Sequence, residues 1–366
     1  RPKFRQKTGQ GDRVAVNSVR RAVVRQSRVR QEDIARAVGV SVSTVSRVLS
    51  GAPGISPATA EKVMRAAADL GTPVTGPTGG PGSAVAAHKM QRALLFLNQV
   101  DINTGSGSIY HFVITGIQKA AKKAGLPIEL ALLGDDGEIP EKILGGPETG
   151  VLFAGVDPCH NVSERLKNKG HPTVIVNGLD PTMRHDQVAP NNYFGGQLAA
   201  QYLVSMGHRR ILHLGTRRRW TLSARTDGFR AGIDGADVTG LKCDNIELPN
   251  VTEHDARVTL NDLLERGDFA YSAVFCAADN VALTAMQELR MRGIEVPRQV
   301  SLLGFNGLPV AELSSPLLST LAVDWEFLGA ESIRILALRS LEPLRPTQQI
   351  QTQVVLHRGE SVIEAN

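Results

Sequence analysis

Residues able to make or break covalent bonds are scarce in this sequence, and none of them falls into a catalytic set. His208 stands in GHRR, but no Ser, Cys or acid is recognisably arranged around it, so it reads as structural. Cys159, Cys243 and Cys276 are far apart and odd in number, which fits neither a zinc site nor a disulfide framework and suits a reducing cytoplasm. GSGS at 105–108 lacks the third glycine and the helix start of a nucleotide loop. With no Walker motif, metal set or nucleophile triad, the expectation is no catalytic residue, no metal and no cofactor. The chemistry to look for is recognition.

Recognition of a polyanion is written in EDIARAVGVSVSTVSRVLSG, residues 32–51. Ile34, Ala35 and Val38 share one face of a first helix, which Gly39 ends. Ser41 caps a second helix whose Val45, Val48 and Leu49 face inward at i, i+3 and i+4. Val42, Ser43, Thr44 and Arg47 are left facing outward. A guanidinium at Arg47 can fork two hydrogen bonds to guanine, and Val42 can meet a thymine methyl. Ser41 and Thr44 can bond phosphates, which positions a helix without reading bases. Any small three-helix bundle shows the same spacing, so spacing alone leaves DNA contact and simple packing both open.

The elements that must position these residues follow. Ser56-Pro57 opens a third helix whose Val63, Ala67 and Leu70 close the core of the head, residues 29–71. Before it lies a basic arm, 1–28, within a stretch of thirty residues carrying ten Lys or Arg and one acid, Asp12. Such an arm suits nucleic acid, or else is a solvated tail. After the head, TPVTGPTGGPGS heads a Pro/Gly-rich linker, 72–90. From residue 91 short apolar runs (93–97, 150–156, 172–176, 210–215, 272–277, 300–305) alternate with amphipathic helical stretches (113–125, 195–207, 279–293). That alternation predicts parallel α/β sheets, with more strands than one small sheet needs, so two lobes. Ligands of such sheets bind at the carboxyl ends of the strands, between lobes where there are two. No apolar run is long enough for a membrane span and no signal peptide is expected.

GVSVSTVSRVLSG, with the preceding DIA, closely resembles the helix-turn-helix of the LacI family of bacterial repressors, with Val42 and Ser43 at its two variable reading positions and Ser50 in place of its usual Asn. The resemblance continues through VSMGHRRILHLG (204–215), SARTDGF (223–229), the 277–306 run, LSTLAVDWEFLG (318–329) and VVLHRGES (354–361). It implies a sensor domain, 91–366, folded like periplasmic sugar-binding proteins, with three crossovers and a ligand cleft. Lobe one would comprise about 91–191 and 325–343, and lobe two about 192–322 and 345–366.

On the same ground Arg225 matches the family arginine that bonds effectors, with a lobe-stabilising ion pair as its other reading. Asp279 matches an aspartate at the end of a strand, either a ligand contact or a helix cap, and Trp325 matches an aromatic position lining the cleft. Three departures stand out. Ala278 replaces an Asn and Asn306 an Asp, both at hydroxyl-binding positions, which makes a simple sugar less secure. Arg217, Arg218, Arg219 and Trp220 follow the strand at 210–215; facing the cleft they would favour an anion, and otherwise they form a solvated loop. The linker holds Pro and Gly where the family carries a short hinge helix with a minor-groove wedge, for which Val85 is a weak substitute.

The sequence therefore predicts an α-helical helix-turn-helix head joined to an α/β two-lobed domain like a periplasmic binding protein. Function follows as a sequence-specific, dimeric cytoplasmic regulator, a repressor by resemblance, not an enzyme. Its partners would be a near-palindromic duplex operator and a small effector, a sugar or related metabolite, touching Arg225, Asp279, Asn306, Trp325 and Trp220. The alternative is a cytoplasmic small-molecule-binding protein whose head binds DNA weakly or non-specifically.

Overall fold

The computed structural model describes residues 31–49, 55–69, 89–97, 108–133, 139–267 and 269–365. The basic arm, the linker through Val85 to residue 88, and Ser50 lie outside them. The chain divides into two units, Arg1–Thr78 and Gly79–Asn366.

In the first unit three helices form: α1 (Gln31–Val38), α2 (Val42–Leu49) and α3 (Pro57–Asp69). Gly39, at φ 72, turns the chain between α1 and α2 in a conformation a Cβ would oppose, and its N–H closes α1 onto the Ala35 carbonyl at 2.9 Å. Ser41 Oγ accepts from the Thr44 N–H at 3.1 Å, and Ser56 Oγ from the Thr59 N–H at 3.2 Å, so each of α2 and α3 begins on a serine cap. Ile34, Ala35, Val45 and Val63 are buried together, with Val38, Val40, Val48 and Ala66 packed around them. The side chains of Leu49 and Ala67, and all of Leu70, lie outside the described set.

The second unit is built on two six-stranded sheets. The first holds β1 (Arg92–Leu97), β2 (Ile128–Leu132), β3 (Thr149–Ala154), β4 (Thr173–Val176), β5 (Asp186–Pro190) and β11 (Gln349–Thr352), in the order β11-β5-β4-β3-β1-β2, every pair parallel. The second holds β6 (Arg210–Gly215), β7 (Lys242–Glu247), β8 (Ala273–Cys276), β9 (Ser301–Asn306), β10 (Ser319–Val323) and β12 (Val354–His357), in the order β12-β10-β9-β8-β6-β7, with β12 antiparallel to β10. Strands covered on both faces read as continuous apolar runs, and every residue of β3 and of β9 is buried.

Helices α4 (Ile109–Ala124), α5 (Glu141–Leu144), α6 (His160–Asn168) and α11 (Trp325–Leu341) belong with the first sheet. Helices α7 (Asn192–Ser205), α8 (Trp220–Asp234), α9 (Glu253–Glu265) and α10 (Asp279–Met291) belong with the second. The chain passes between lobes three times, after β5, after β10 and between β11 and β12.

One expected boundary is corrected. Residues 345–352 do not join lobe two, because β11 pairs with β5 in the first sheet, and lobe two resumes only at β12. The cause is a buried ion pair: Arg339 at the end of α11 grips Asp186 of β5 with two bonds, at 2.8 and 2.9 Å, and also donates to the carbonyls of Pro343, Arg345 and Pro346. That folds the 343–348 turn back so that Gln348 N–H reaches Asp186 at 2.8 Å and β11 runs alongside β5.

Candidate functional site

The head presents one side of α2 outward. Ser41, Ser43 and Arg47 are exposed, Val42 is 42 % exposed and Thr44 is half-buried. The hydroxyls of Ser43 and Thr44 both lie 2.8 Å from Ser41 Oγ, a cluster at the start of a helix whose first turn carries no acid. The positive end of the helix dipole favours a phosphate there. Arg47, one turn on, is where a guanidinium can reach past the backbone to a base edge.

In the sensor unit the carboxyl ends of the strands bring two walls face to face. Lobe two contributes the turn after β6, the 276–279 corner after β8 and the end of β9. Arg225, on α8, is buried there: its Nε and Nη2 donate to Asn192 Oδ1 at 3.2 and 2.7 Å, and its Nη1 donates to the Ala277 carbonyl. Its guanidinium carbon stands 3.4 Å from the centroid of the Phe305 ring, a cation–π contact. Burial pushes Arg225 down to about 9, against the pull of Asp279 and Tyr110.

Asp279 has 0 % exposure and is fixed from two sides, accepting from Leu308 N–H at 2.7 Å and from Thr320 Oγ1 at 2.5 Å. Burial pushes its carboxyl up to about 7, against those hydrogen bonds, the Gly307 N–H and the Arg225 charge. Its visible work is to hold the turn after β9. Asn306 begins that turn at φ 120, a conformation rare outside glycine, and Gly307 follows at φ 70, where a Cβ would run into Ala322. The Trp325 indole, 4 % exposed, donates to the Asn306 carbonyl at 2.9 Å, so two of the expected residues meet directly. Trp220 begins α8 and is 53 % exposed, away from that cluster's hydrogen bonds. A cavity of about 720 Å³ is lined by Trp325, Gly307, Pro309, Phe112, Lys119 and Phe327, but Arg225, Asp279, Asn306 and Trp220 do not line it.

Lobe one answers with Tyr110 on the first turn of α4, Asp157 after β3 and Asn177 after β4. Ser108, the last residue of the GSGS run, caps α4 by accepting from the Tyr110 N–H at 3.2 Å. Asn177 takes the left-handed conformation, φ 52, and its Nδ2 donates to the Tyr110 hydroxyl at 3.0 Å.

Comparison with known proteins decides the lineage. Residues 31–71 match the model of bacterial regulatory proteins of the lacI family, and residues 200–362 that of a periplasmic binding protein-like domain. The head is a lacI-type DNA-binding domain joined to a periplasmic binding protein-like domain, and the relatives are HTH-type transcriptional regulators. It is 28 % identical over 325 residues to the HTH-type transcriptional regulator MalR of Streptomyces coelicolor, covering 84 % of this chain and 89 % of that one. It is 27 % identical over 336 residues to the HTH-type transcriptional repressor PurR of Vibrio parahaemolyticus, covering 89 % and 96 %. The solved complex of the transcriptional regulator CelR with cellobiose superposes with a TM-score of 0.65 at 26 % identity, covering 92 % of this chain and 100 % of that one. The protein is a DNA-binding transcription regulator with a two-sheet sensor domain.

The regulator's cleft holds residues that sequence reasoning passed over. Asn192, Tyr110, Asp157 and Asn177 carry no motif, and Arg219 was one of a group of three. A signal existed for Arg219 alone, as the arginine at the last position before the helix. His208 is held between Ser272 Oγ and the Ile363 carbonyl, each at 3.1 Å, and burial pushes its pKa down, which makes it a brace for the segment after β12. No helix among the described residues is long and apolar enough to cross a membrane.

Proposed function

We propose that this regulator is a homodimeric, cytoplasmic repressor whose grip on a near-palindromic operator is set by a small effector between the lobes of its sensor domain. The observation that carries the first half is the outward face of α2: Val42, Ser43 and Arg47 stand exposed on a helix whose other side is locked into the head's core. Ser41 and Thr44 would position the helix on phosphates, and Val42, Ser43 and Arg47 would read bases.

For the effector, a neutral, hydroxyl-bearing molecule of the sugar class fits better than an anion. Two of the three arginines after β6 are matched by carboxylates: Arg217 by Asp227 at 2.6 Å, and Arg219 by Asp157 at 3.7 Å. CelR, similar over most of its length, is solved with cellobiose. Trp325 and Asn306 would line the site, with Trp220 at its rim. Arg225 and Asp279, both enclosed, would shape it from behind. No enzymatic step is proposed. Effector binding would favour one lobe arrangement and so shift the fraction of dimers able to hold DNA.

The experiment passes the full-length protein over fragmented genomic DNA at about 150 mM salt, where non-specific phosphate binding is reduced, and footprints what is retained. A protected near-palindrome that Arg47→Ala loses, with a drop in affinity of about tenfold or more, is the expected result. Protection indifferent to Arg47, or none, would transfer the reading to a small-molecule-binding protein with a weak or non-specific head.

A further inference from the structure

Of the three arginines that follow β6, one reaches across the cleft. Arg217 stays on its own lobe, donating to Ser223 Oγ at 3.0 Å and Asp227 Oδ1 at 2.6 Å, with its N–H on Glu247 at 3.3 Å. Arg219 does not. Its Nη1 donates to the Tyr110 hydroxyl and its Nη2 to the Asn177 carbonyl, both at 2.8 Å, while Asp157 Oδ1 lies 3.7 Å from Nη2.

These three acceptors come from three separate elements of lobe one: the first turn of α4, the end of β4 and the loop after β3. They are braced against one another. Asn177 donates to Tyr110, and Asp157 accepts from the Leu179 N–H at 3.3 Å, packed so closely on Gly178 that a Cβ there would meet its carboxylate. The left-handed turn at Asn177 breaks the strand geometry at the residue whose carbonyl receives Arg219. An oxygen set of phenol, carbonyl and carboxylate, rigidly spaced, is what a planar guanidinium with several N–H donors satisfies.

On the other side Arg219 is the residue immediately before α8, with no side-chain bond to its own helix start. The same helix carries Arg225, locked onto Asn192 and Ala277. Movement of α8 relative to lobe one must therefore break the Arg219 contacts, and keeping them fixes α8 against α4 and β4.

We propose that Arg219 is a clasp that holds the two lobes in their closed arrangement, with Tyr110, Asn177 and Asp157 as its receptor. It deepens the effector-cleft reading and rests on it, since the clasp matters to regulation only if lobe arrangement governs DNA binding. Arg219 is then a positioning residue: it biases closure, and an effector is bound beside it in the already drawn-together cleft.

The test reads lobe closure without DNA. Amide hydrogen exchange would be followed in the full chain at 155–158, 177–179 and the first turn of α8, together with the radius of gyration in solution. Arg219→Ala should speed exchange at all three places by about tenfold, as expected when charged hydrogen bonds across an interface are lost, and should enlarge the particle. Arg217→Ala should match the wild type. Tyr110→Phe, which removes an acceptor and leaves the arginine, should give a smaller effect of the same sign and serves if Arg219→Ala does not fold. Wild-type exchange in both Arg219→Ala and Tyr110→Phe, or the same acceleration in Arg217→Ala, would overturn the clasp. Failure of the wild type to protect any operator would overturn the regulatory reading instead, while the exchange comparison still decides the clasp.

Discussion

Asp279 has its two carboxylate oxygens divided between the Leu308 N–H and the Thr320 hydroxyl, and no surface of its own. The folded protein takes a proton there at about 7, whereas an exposed aspartate does so at 3.8. Between those values folding binds a proton, so the contribution of Asp279 to stability is lost as pH rises from about 4 towards 7. Asp279→Asn should remove that slope: on going from pH 5 to 7.5 the variant should gain on the wild type by about 2 kcal/mol in urea unfolding. Equal changes in both proteins would show that the carboxylate stays charged throughout. His213 works in the opposite sense and would not imitate the effect. Packed against the Phe229 and Phe275 rings, it is pushed by burial down to about 4, so its contribution falls as pH drops. At this scale the sequence named Arg225, Asp279, Asn306 and Trp325 as candidates and was silent on their depth. Burial depends on what packs over a residue, and Arg225 is covered by Asn192 and Ala277, which lie 33 and 52 residues from it.

Paired helices in both lobes meet through glycines. Gly116 of α4 lies against the Glu326 carbonyl of α11, and Gly329 of α11 against the Val113 carbonyl of α4. Gly196 of α7 meets the Arg225 carbonyl of α8, and Gly228 of α8 the Tyr193 carbonyl. A Cβ at any of them would enter the shell of a backbone oxygen, which cannot swing aside as a side chain can. Gly329→Ala should therefore lower stability by about 2 kcal/mol or more, read from the urea midpoint; an unmoved midpoint would mean that α4 and α11 separate without cost. Elements with apolar runs were legible in sequence: 210–215 is β6, and 279–293 covers α10. β7, β11 and β5 were not, for two reasons. β7 (KCDNIE) and β11 (QIQT) lie at sheet edges and keep polar residues facing water. β5 (DQVAP) is covered but buries Asp186 and Gln187, whose partners Arg339 and Asp180 are not announced by any pattern in the strand.

For the whole molecule, charge and topology were read unequally well. Ten basic residues against one acid in the first thirty remain a property of the chain whatever its conformation. If they meet phosphates, removing residues 1–28 should flatten the dependence of operator affinity on salt, since each phosphate neutralised contributes about 0.9 to the slope of log K against log salt. An unchanged slope would exclude the arm from the complex. Two-lobed architecture was legible because strands and helices alternate beyond the count one small sheet needs. The last passage between lobes was not, because the 343–348 turn is set by Arg339 from the far end of a helix.

That last passage also orders events during synthesis. β11 completes one edge of the first sheet and β12 one edge of the second, and the two are separated in sequence by Gln353 alone. A ribosome releasing this chain exposes two sheets, each missing one border strand, until both borders emerge almost together. Neither lobe can finish its hydrogen-bonded frame ahead of the other, so the halves of the sensor reach maturity as one product.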